Sequence, residues 1–327
     1  MRKEIEKITI GDIIEDGIYR LHSISKVNEG YNLVLTDNSG SINAFISDIR
    51  FDKRLNTLQE GVIAINAVCV VGDDGNSPLL KLKSFRKAEN SEYKSSEIFK
   101  GLSEEQNLFY TKIIKENTRR IPDKSLRKLC EVCLNDETLK VLGGMPATVG
   151  WHCTYNGGAL VSAAVVSQLA ITCALQYTRN VMLFSTSFNF SLLVSAALLH
   201  TIGVIDYLVE NPWRKSKTGV DRGYMSVLQS RIENTIRNNQ IDIDDEVLAR
   251  LLNILASSVP LKSGVKATYH EGIVLRHALM LFEELDMLDS EISEHEAEDN
   301  EECFYAKKLH RFVATSNVDS EAKKGAA

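Results

Sequence analysis

His152-Cys-Thr-Tyr-Asn-Gly-Gly-Ala-Leu-Val-Ser162 and, downstream, Leu198-Leu-His-Thr-Ile-Gly203 are the two segments on which the reading of this chain turns. Each sets a histidine beside a glycine and an apolar run of helical character. Packed helices can aim such side chains at one point, where His and Asp would hold a cation that activates water. Here the position after His200 carries Thr201. A neutral hydroxyl is a poor substitute for a carboxylate toward a hard metal ion. Outward from the first segment, Gly158–Tyr177 has no charged residue and is about as long as a bilayer span. Ser162, Ser167, Gln168 and Thr172 make it polar for lipid, so a buried core helix is expected.

With 327 residues the chain is long enough for two domains, and 44% hydrophobic with 25% charged residues is a globular composition. The six cysteines are scattered, and Met1–Lys7 is charged with no apolar run behind it, so a reduced, cytoplasmic setting is expected. Residues 283–302 hold eleven Asp/Glu and no Lys or Arg, while 303–327 hold five basic and two acidic residues. The net charge of −6 therefore sits in the tail, and a near-neutral body neither demands nor excludes a nucleic-acid partner.

Residues 1–88 read as β. Strands are expected at Gly17–Lys26, Tyr31–Thr36, Ser41–Ile46, Gly61–Val71 and Leu79–Phe85, with turns at Asp37–Gly40 and Asp73–Asn76 and a longer break at Ser47–Glu60. Five strands in that spacing suggest a Greek-key barrel of the OB type. Such barrels bind single strands by stacking bases on aromatics in a basic groove. Tyr19, Tyr31, Phe45 and Phe85 are the aromatic candidates, with Arg20, Lys26, Lys81, Lys83, Arg86 and Lys87 for phosphates. The bland alternative makes Phe45 core and the lysines a solvated strand face, and OB barrels also dock proteins.

Residues 89–103 are polar and read as a linker. From Glu104 the pattern is helical, opened by a capping box at Ser103–Gln106. Helices are expected at Leu126–Asn135, Gly158–Tyr177, Phe190–Val204, Met225–Asn238, Asp245–Leu255 and His270–Leu285. Pro212–Asp221 reads as a basic loop. Cys130 and Cys133 form a lone C-x-x-C expected to face the core, and His270 and His277 are expected at the surface. The helical domain should span 104–288, and 289–327 should be a charged, weakly ordered tail. No phosphate-binding loop, dinucleotide fingerprint or nucleophile elbow is present.

The order of a barrel, Met145-Pro-Ala-Thr148, Trp151-His-Cys-Thr-Tyr-Asn-Gly-Gly158 and Leu198-Leu-His-Thr-Ile-Gly203 resembles the YhaM family of 3′–5′ exoribonucleases, which join an OB domain to an HD domain. The resemblance spans residues 15–288 in architecture and is close in motif over 145–163 and 196–206. The family pattern runs Pro-Ala-Ala, His-His-Ala-Tyr-x-Gly-Gly-Leu-Leu-Glu-His-Thr and Leu-Leu-His-Asp-Ile-Gly-Lys. Its first His pair matches His152 and Cys153. Its next ligand His matches Ser162. The His-Asp pair matches His200 and Thr201, and the following Lys matches Val204. No His stands near Met225–Val227, where the family has one. A Ser-His-His-Gly segment matches Ser257-Ser258-Val259-Pro260, and the last ligand Asp matches Leu279 on a helix that retains Glu271.

The resemblance thus implies a barrel followed by an all-α HD-type domain whose metal site is degenerate. A non-catalytic relative is expected, binding single-stranded RNA or DNA, or scaffolding other proteins, with no cofactor. The basic segments Lys112–Lys128 and Arg214–Lys217 would line a nucleic-acid path on the helical domain. Self-association is implied by the resemblance alone. The alternatives are a Mn2+- or Mg2+-dependent exonuclease or phosphohydrolase rebuilt around His152, Cys153 and His200, and a purely protein-binding component whose acidic tail is a docking arm.

Overall fold

The computed structural model describes residues 3–27, 30–47, 61–72, 75, 77–89, 91–93, 95–98, 101–180, 188–210, 213–258, 265–298, 303–306 and 308–314. The chain divides into two compact units, Met1–Leu102 with Val209–Arg214, and Ser103–Leu208 with Lys215–Ala327. Of the sequence expectations, the break after Ser47 and most of the Asp73–Asn76 turn lie outside the described residues, as do Pro212, Val259 and Pro260.

In the first unit, strands β1 (Ile13–Val27), β2 (Gly30–Thr36), β3 (Ser41–Ile46), β4 (Val62–Val71) and β5 (Pro78–Lys87) close into a barrel in the order β1-β2-β3-β5-β4. All five expected strands are present, and β1 starts four residues earlier than its pattern suggested. Its length explains the closure. Ile13–Arg20 pairs antiparallel with β4, and Arg20–Val27 pairs antiparallel with β2. A register shift between Ile14 and Gly17 lets the strand turn this corner. Gly17 is required there, because a Cβ would lie 2.3 Å from Ile14 Cγ2 and 2.7 Å from the Tyr19 ring. β3 and β5 run parallel, the crossover of the OB layout.

Alternation decides what is inside. Leu33 and Leu35 of β2, Ile42, Ala44 and Ile46 of β3, Ile63 and Ile65 of β4, and Leu80 and Leu82 of β5 fill the barrel with Tyr19 and Leu21. Ile5 and Ile8, around a short 3-10 turn at Ile5–Lys7, join the same core. The Asp37–Gly40 turn forms as expected. Asp37 is buried and accepts from Ser39 N, Gly40 N and Ile5 N, which ties the amino-terminal segment to the β2–β3 hairpin.

The expected linker is part of this unit. Tyr93 and Ile98, the latter in helix α1 (Ser95–Ile98), are buried with Ile18, Val62, Ala64 and Ala88. Two apolar residues in a polar stretch suffice to fold it back, and the unit ends at Leu102 instead of 88.

The second unit is helical: α2 (Glu104–Arg119), α3 (Lys124–Cys133), α4 (Asp136–Leu142), α5 (Gly158–Asn180), α6 (Phe190–Leu199), α7 (Val204–Tyr207), α8 (Lys217–Asn238), α9 (Asp245–Ser258) and α10 (His270–Glu298). Ser103 and Gln106 make the expected capping box on α2. Asp123, Asn135, Asn189 and Ser216 cap α3, α4, α6 and α8 through their side chains. α5 packs against α2, α6 and α10, and α6 also meets α3, α9 and α10. Two segments, Gly158–Arg179 and Phe190–Tyr207, are long and apolar enough to cross a membrane, and 67% and 72% of their apolar windows are buried in the fold. Cys130 and Cys133 face the core as expected, and burial raises both thiol pKa values, Cys133 to about 11.

Three expectations are corrected. The run from Phe190 breaks at His200–Gly203 into α6 and α7. The Pro212–Asp221 loop ends early, since Ser216 caps α8 and the helix kinks at Gly223 (φ 73°) instead of starting at Met225. The charged region from Asp289 is not wholly unstructured: α10 continues to Glu298, and β6 (Cys303–Ala306) pairs with β7 (Arg311–Ala314). Buried Glu291 accepts from Lys308 N, and Ala306 is fully buried, so the hairpin is anchored to α10. The charge count hid the two apolar pairs, Phe304/Tyr305 and Phe312/Val313, that form it.

Candidate functional site

On the barrel, the outer face of β2, β3 and β5 carries an ordered row. Asn32 pairs with Phe45 across β2–β3, and Phe45 pairs with Lys81 across β3–β5. Asn43 lies one outward position away on β3, and Lys83 follows Lys81 on β5. Phe45 is half-buried and Asn32, Asn43, Lys81 and Lys83 are exposed. One aromatic face flanked by carboxamides and two ammonium groups is thus presented on the surface that OB barrels use for oligonucleotides.

The other sequence candidates are corrected by burial or pairing. Tyr19 is fully buried and donates its hydroxyl to Lys3 O, and Phe85 belongs to the same core. Tyr31 is buried, with Lys26 Nζ 5.7 Å from its ring centroid. These three rings point inward because the strand period puts them on the core face, so they cannot stack bases. Arg86 makes a two-pronged contact with Glu92 at 2.6 and 2.7 Å, which lowers the Glu92 carboxyl to about 2 and leaves little net charge. Arg20 is half-buried where β1 passes from β4 to β2. Lys87 is exposed at the end of β5.

In the helical unit the two quoted segments meet. His200 Nδ1 lies 2.7 Å from Ala197 O, and Nε2 lies 3.0 Å from Ser162 Oγ. A carbonyl only accepts, so Nδ1 carries the proton and Nε2 accepts from the Ser162 hydroxyl. The lone pair that would bind a metal is already used. Burial lowers the His200 pKa to about 4, keeping the ring neutral. Thr201 follows in the turn after α6, buried, with no partner for its hydroxyl among the described residues. Tyr224 donates to the His200 carbonyl.

His152 faces α10, where its Nε2 lies 3.2 Å from Glu283 Oε1. Next to it, Cys153 adopts φ 47° and donates its backbone N–H to Asp286 Oδ2 at 2.6 Å. The Thr148 hydroxyl donates to His152 O, and Ala147 N donates to Cys153 O, so the loop folds on itself. Gly158 completes it, since a Cβ would meet Cys153 O at 2.2 Å. Burial first, and then Asp286, push the Cys153 thiol up, which disfavours the nucleophilic and metal-binding thiolate.

Glu283 and Asp286 did not emerge from sequence reasoning, which looked for the last acidic group at Leu279; that residue is buried core. The signal was present. Glu283 and Asp286 lie four and seven residues after Leu279, on the stripe that also buries Phe282 and Met287. Ser258 donates to Leu255 O within its own helix. His270 and His277 are exposed, as expected. Among the described residues no group of three or more His, Cys, Asp or Glu is arranged to hold a metal ion. Among the described residues, the groups beside His200 are the neutral hydroxyls of Ser162 and Thr201, a donor set that does not fit Mn2+ or Mg2+.

Of the basic segments, Lys115 pairs with Asp136 at 2.5 Å and Lys215 lies over the Tyr207 ring. Arg119, Arg120 and Lys124 are exposed.

No family model matches the chain, and no curated protein matches it. Among solved structures it is similar to an aspartyl-tRNA synthetase from Entamoeba histolytica, with 8% identity over 55% of this chain and 37% of that one, at a TM-score of 0.23. It is also similar to a structure described as an aspartyl-tRNA synthetase from Leishmania major Friedlin, with 13% identity over 37% of this chain and 30% of that one, at a TM-score of 0.20. The chain spans 37% of the length of the first and 30% of the second. Likeness at this level carries no argument about function.

Proposed function

We propose that the barrel binds single-stranded nucleic acid, and that the helical unit is an HD-type domain without the metal chemistry of the exoribonucleases its motifs resemble. The observation that carries the first part is the outer row Asn32–Phe45–Lys81 with Lys83 beside it. A base stacks on Phe45, phosphates lie along the two lysines, and the carboxamides of Asn32 and Asn43 meet base edges or sugar. The second part is supported by the His200 ring, whose two nitrogens are both spent on hydrogen bonds. Six unpaired cysteines, four of them buried, are compatible with a cytoplasmic setting.

The test uses purified full-length protein and a fluorescent single strand. Phe45→Ala should weaken binding roughly five- to 150-fold, the range that 1–3 kcal/mol of stacking corresponds to. Phe45→Trp should retain it. Equal affinity for Phe45→Ala and the unsubstituted protein would remove the barrel face from the account. Strand length on a denaturing gel, with Mn2+ or Mg2+ present, should not change. Shortening from the 3′ end that disappears in His200→Ala would establish an enzyme instead.

A further inference from the structure

An open cavity of about 400 Å3 in the helical unit is lined by Pro122, Phe188, Asn189, Phe190, Ser191 and Arg250. Its walls are held from behind. Glu271, fully buried, accepts from Asn189 N and from Arg250 Nη2, through both carboxylate oxygens in the case of Arg250. One carboxylate thereby fixes the start of α6 against α9. Ser191 Oγ accepts from Asp123 N, which fixes Pro122 against the same helix. The Arg250 guanidinium also lies 4.5 Å over the Tyr269 ring, and the Phe188 ring packs near His270.

The chemistry of this cavity is specific. Phe188 and Phe190 are each half-exposed at its wall. Arg250 adds a planar guanidinium whose charge Glu271 neutralises. Among the described residues Arg250 holds Glu271 through Nη2, which leaves Nη1 as the donor on the cavity side, while Nε is buried. The cavity therefore offers flat π surface and hydrogen-bond donors with little net charge, which suits a neutral planar heterocycle better than a phosphate. Positive charge lies beside it in the sequence. Arg119, Arg120 and Lys124 flank Pro122, are exposed, and are paired with no carboxylate among the described residues.

The geometry points to a nucleobase site in the helical unit: a base enters between Phe188, Phe190 and Arg250, and its phosphate is met by Arg119, Arg120 and Lys124. This site is separate from the Phe45 face and does not depend on it. The base can come from a free nucleotide or from an unpaired position of a strand.

Photocrosslinking of the full-length protein tests this. The probes are 5-iodouridine monophosphate and a single-stranded oligonucleotide containing one 5-iodouracil, with adducts mapped by mass spectrometry. The expected result is an adduct on the peptide bearing residues 188–191. An adduct with the mononucleotide identifies a free nucleotide as the source, and one with the oligonucleotide alone identifies a strand. Phe188→Ser should reduce the adduct on the order of tenfold, the effect of losing one stacking partner, whereas Phe188→Trp should keep it. Arg119→Glu with Lys124→Glu, both on exposed positions, should weaken binding severalfold and flatten its salt dependence without altering the melting temperature. Absence of any adduct at 188–191, or one that Phe188→Ser leaves undiminished, overturns the site. Adducts at Phe45 are read on a different peptide, so failure of either site is seen independently of the other.

Discussion

The Ser162 hydroxyl and the His200 ring join the two quoted segments through a bond that a metal-binding histidine could not spare. Its pH behaviour follows from the lowered pKa. Below about pH 6.5 the unfolded chain takes up a proton at His200 that the folded chain refuses until about pH 4. His200 therefore supports folding fully above 6.5, and this support is lost as pH falls through that window, by on the order of 1 kcal/mol per pH unit. Urea unfolding of the native protein and His200→Ala should show a smaller stability difference at pH 5 than at pH 7. A difference that stays constant or grows on acidification would contradict the neutral, hydrogen-bonded ring. At Glu271, a buried carboxylate is matched by Arg250. Arg250→Ala strands that charge and should cost about 3–5 kcal/mol, measured by the same unfolding assay. Glu283 and Asp286 show why sequence alone missed part of this region. Their partners, His152 and the Cys153 backbone, lie more than 130 residues away, and only the packing of the loop on α10 brings them together.

Among the elements, regular patterns were legible and irregular ones were not. The five barrel strands follow from period-2 alternation, which each strand carries in its own residues. The capping box at Ser103–Gln106 was equally local. Which aromatics face outward was not, because Tyr19, Tyr31 and Phe45 look alike until register assigns a face to each. The bulge at Gly17 also shifts β1 by a residue in a way that composition does not announce. Gly17→Ala should destabilise the barrel by about 1–3 kcal/mol through the clash with Ile14 and Tyr19, visible as a lower urea midpoint. An unchanged midpoint would mean that β1 turns its corner differently.

For the chain as a whole, the two units carry different parts of the account. The helical unit holds the polar groups of its two quoted segments in hydrogen bonds, and its carboxyl-terminal hairpin is tied to α10 through Glu291 and Ala306. A chain ending at residue 288 should melt several degrees lower than the full chain; identical melting would return the tail to the weakly ordered status its charge suggested. The barrel carries the proposed binding surface, and that proposal is tested most directly by one titration. Fluorescence anisotropy of a labelled single strand, followed for the full chain and for Lys81→Ala/Lys83→Ala across a salt series, should show binding that weakens as salt rises. The slope of log affinity against log salt should be shallower by about 1–2 in the variant, as expected for one or two lost phosphate contacts. Binding that is absent, or whose salt slope is the same in both proteins, would contradict a nucleic-acid surface on this face.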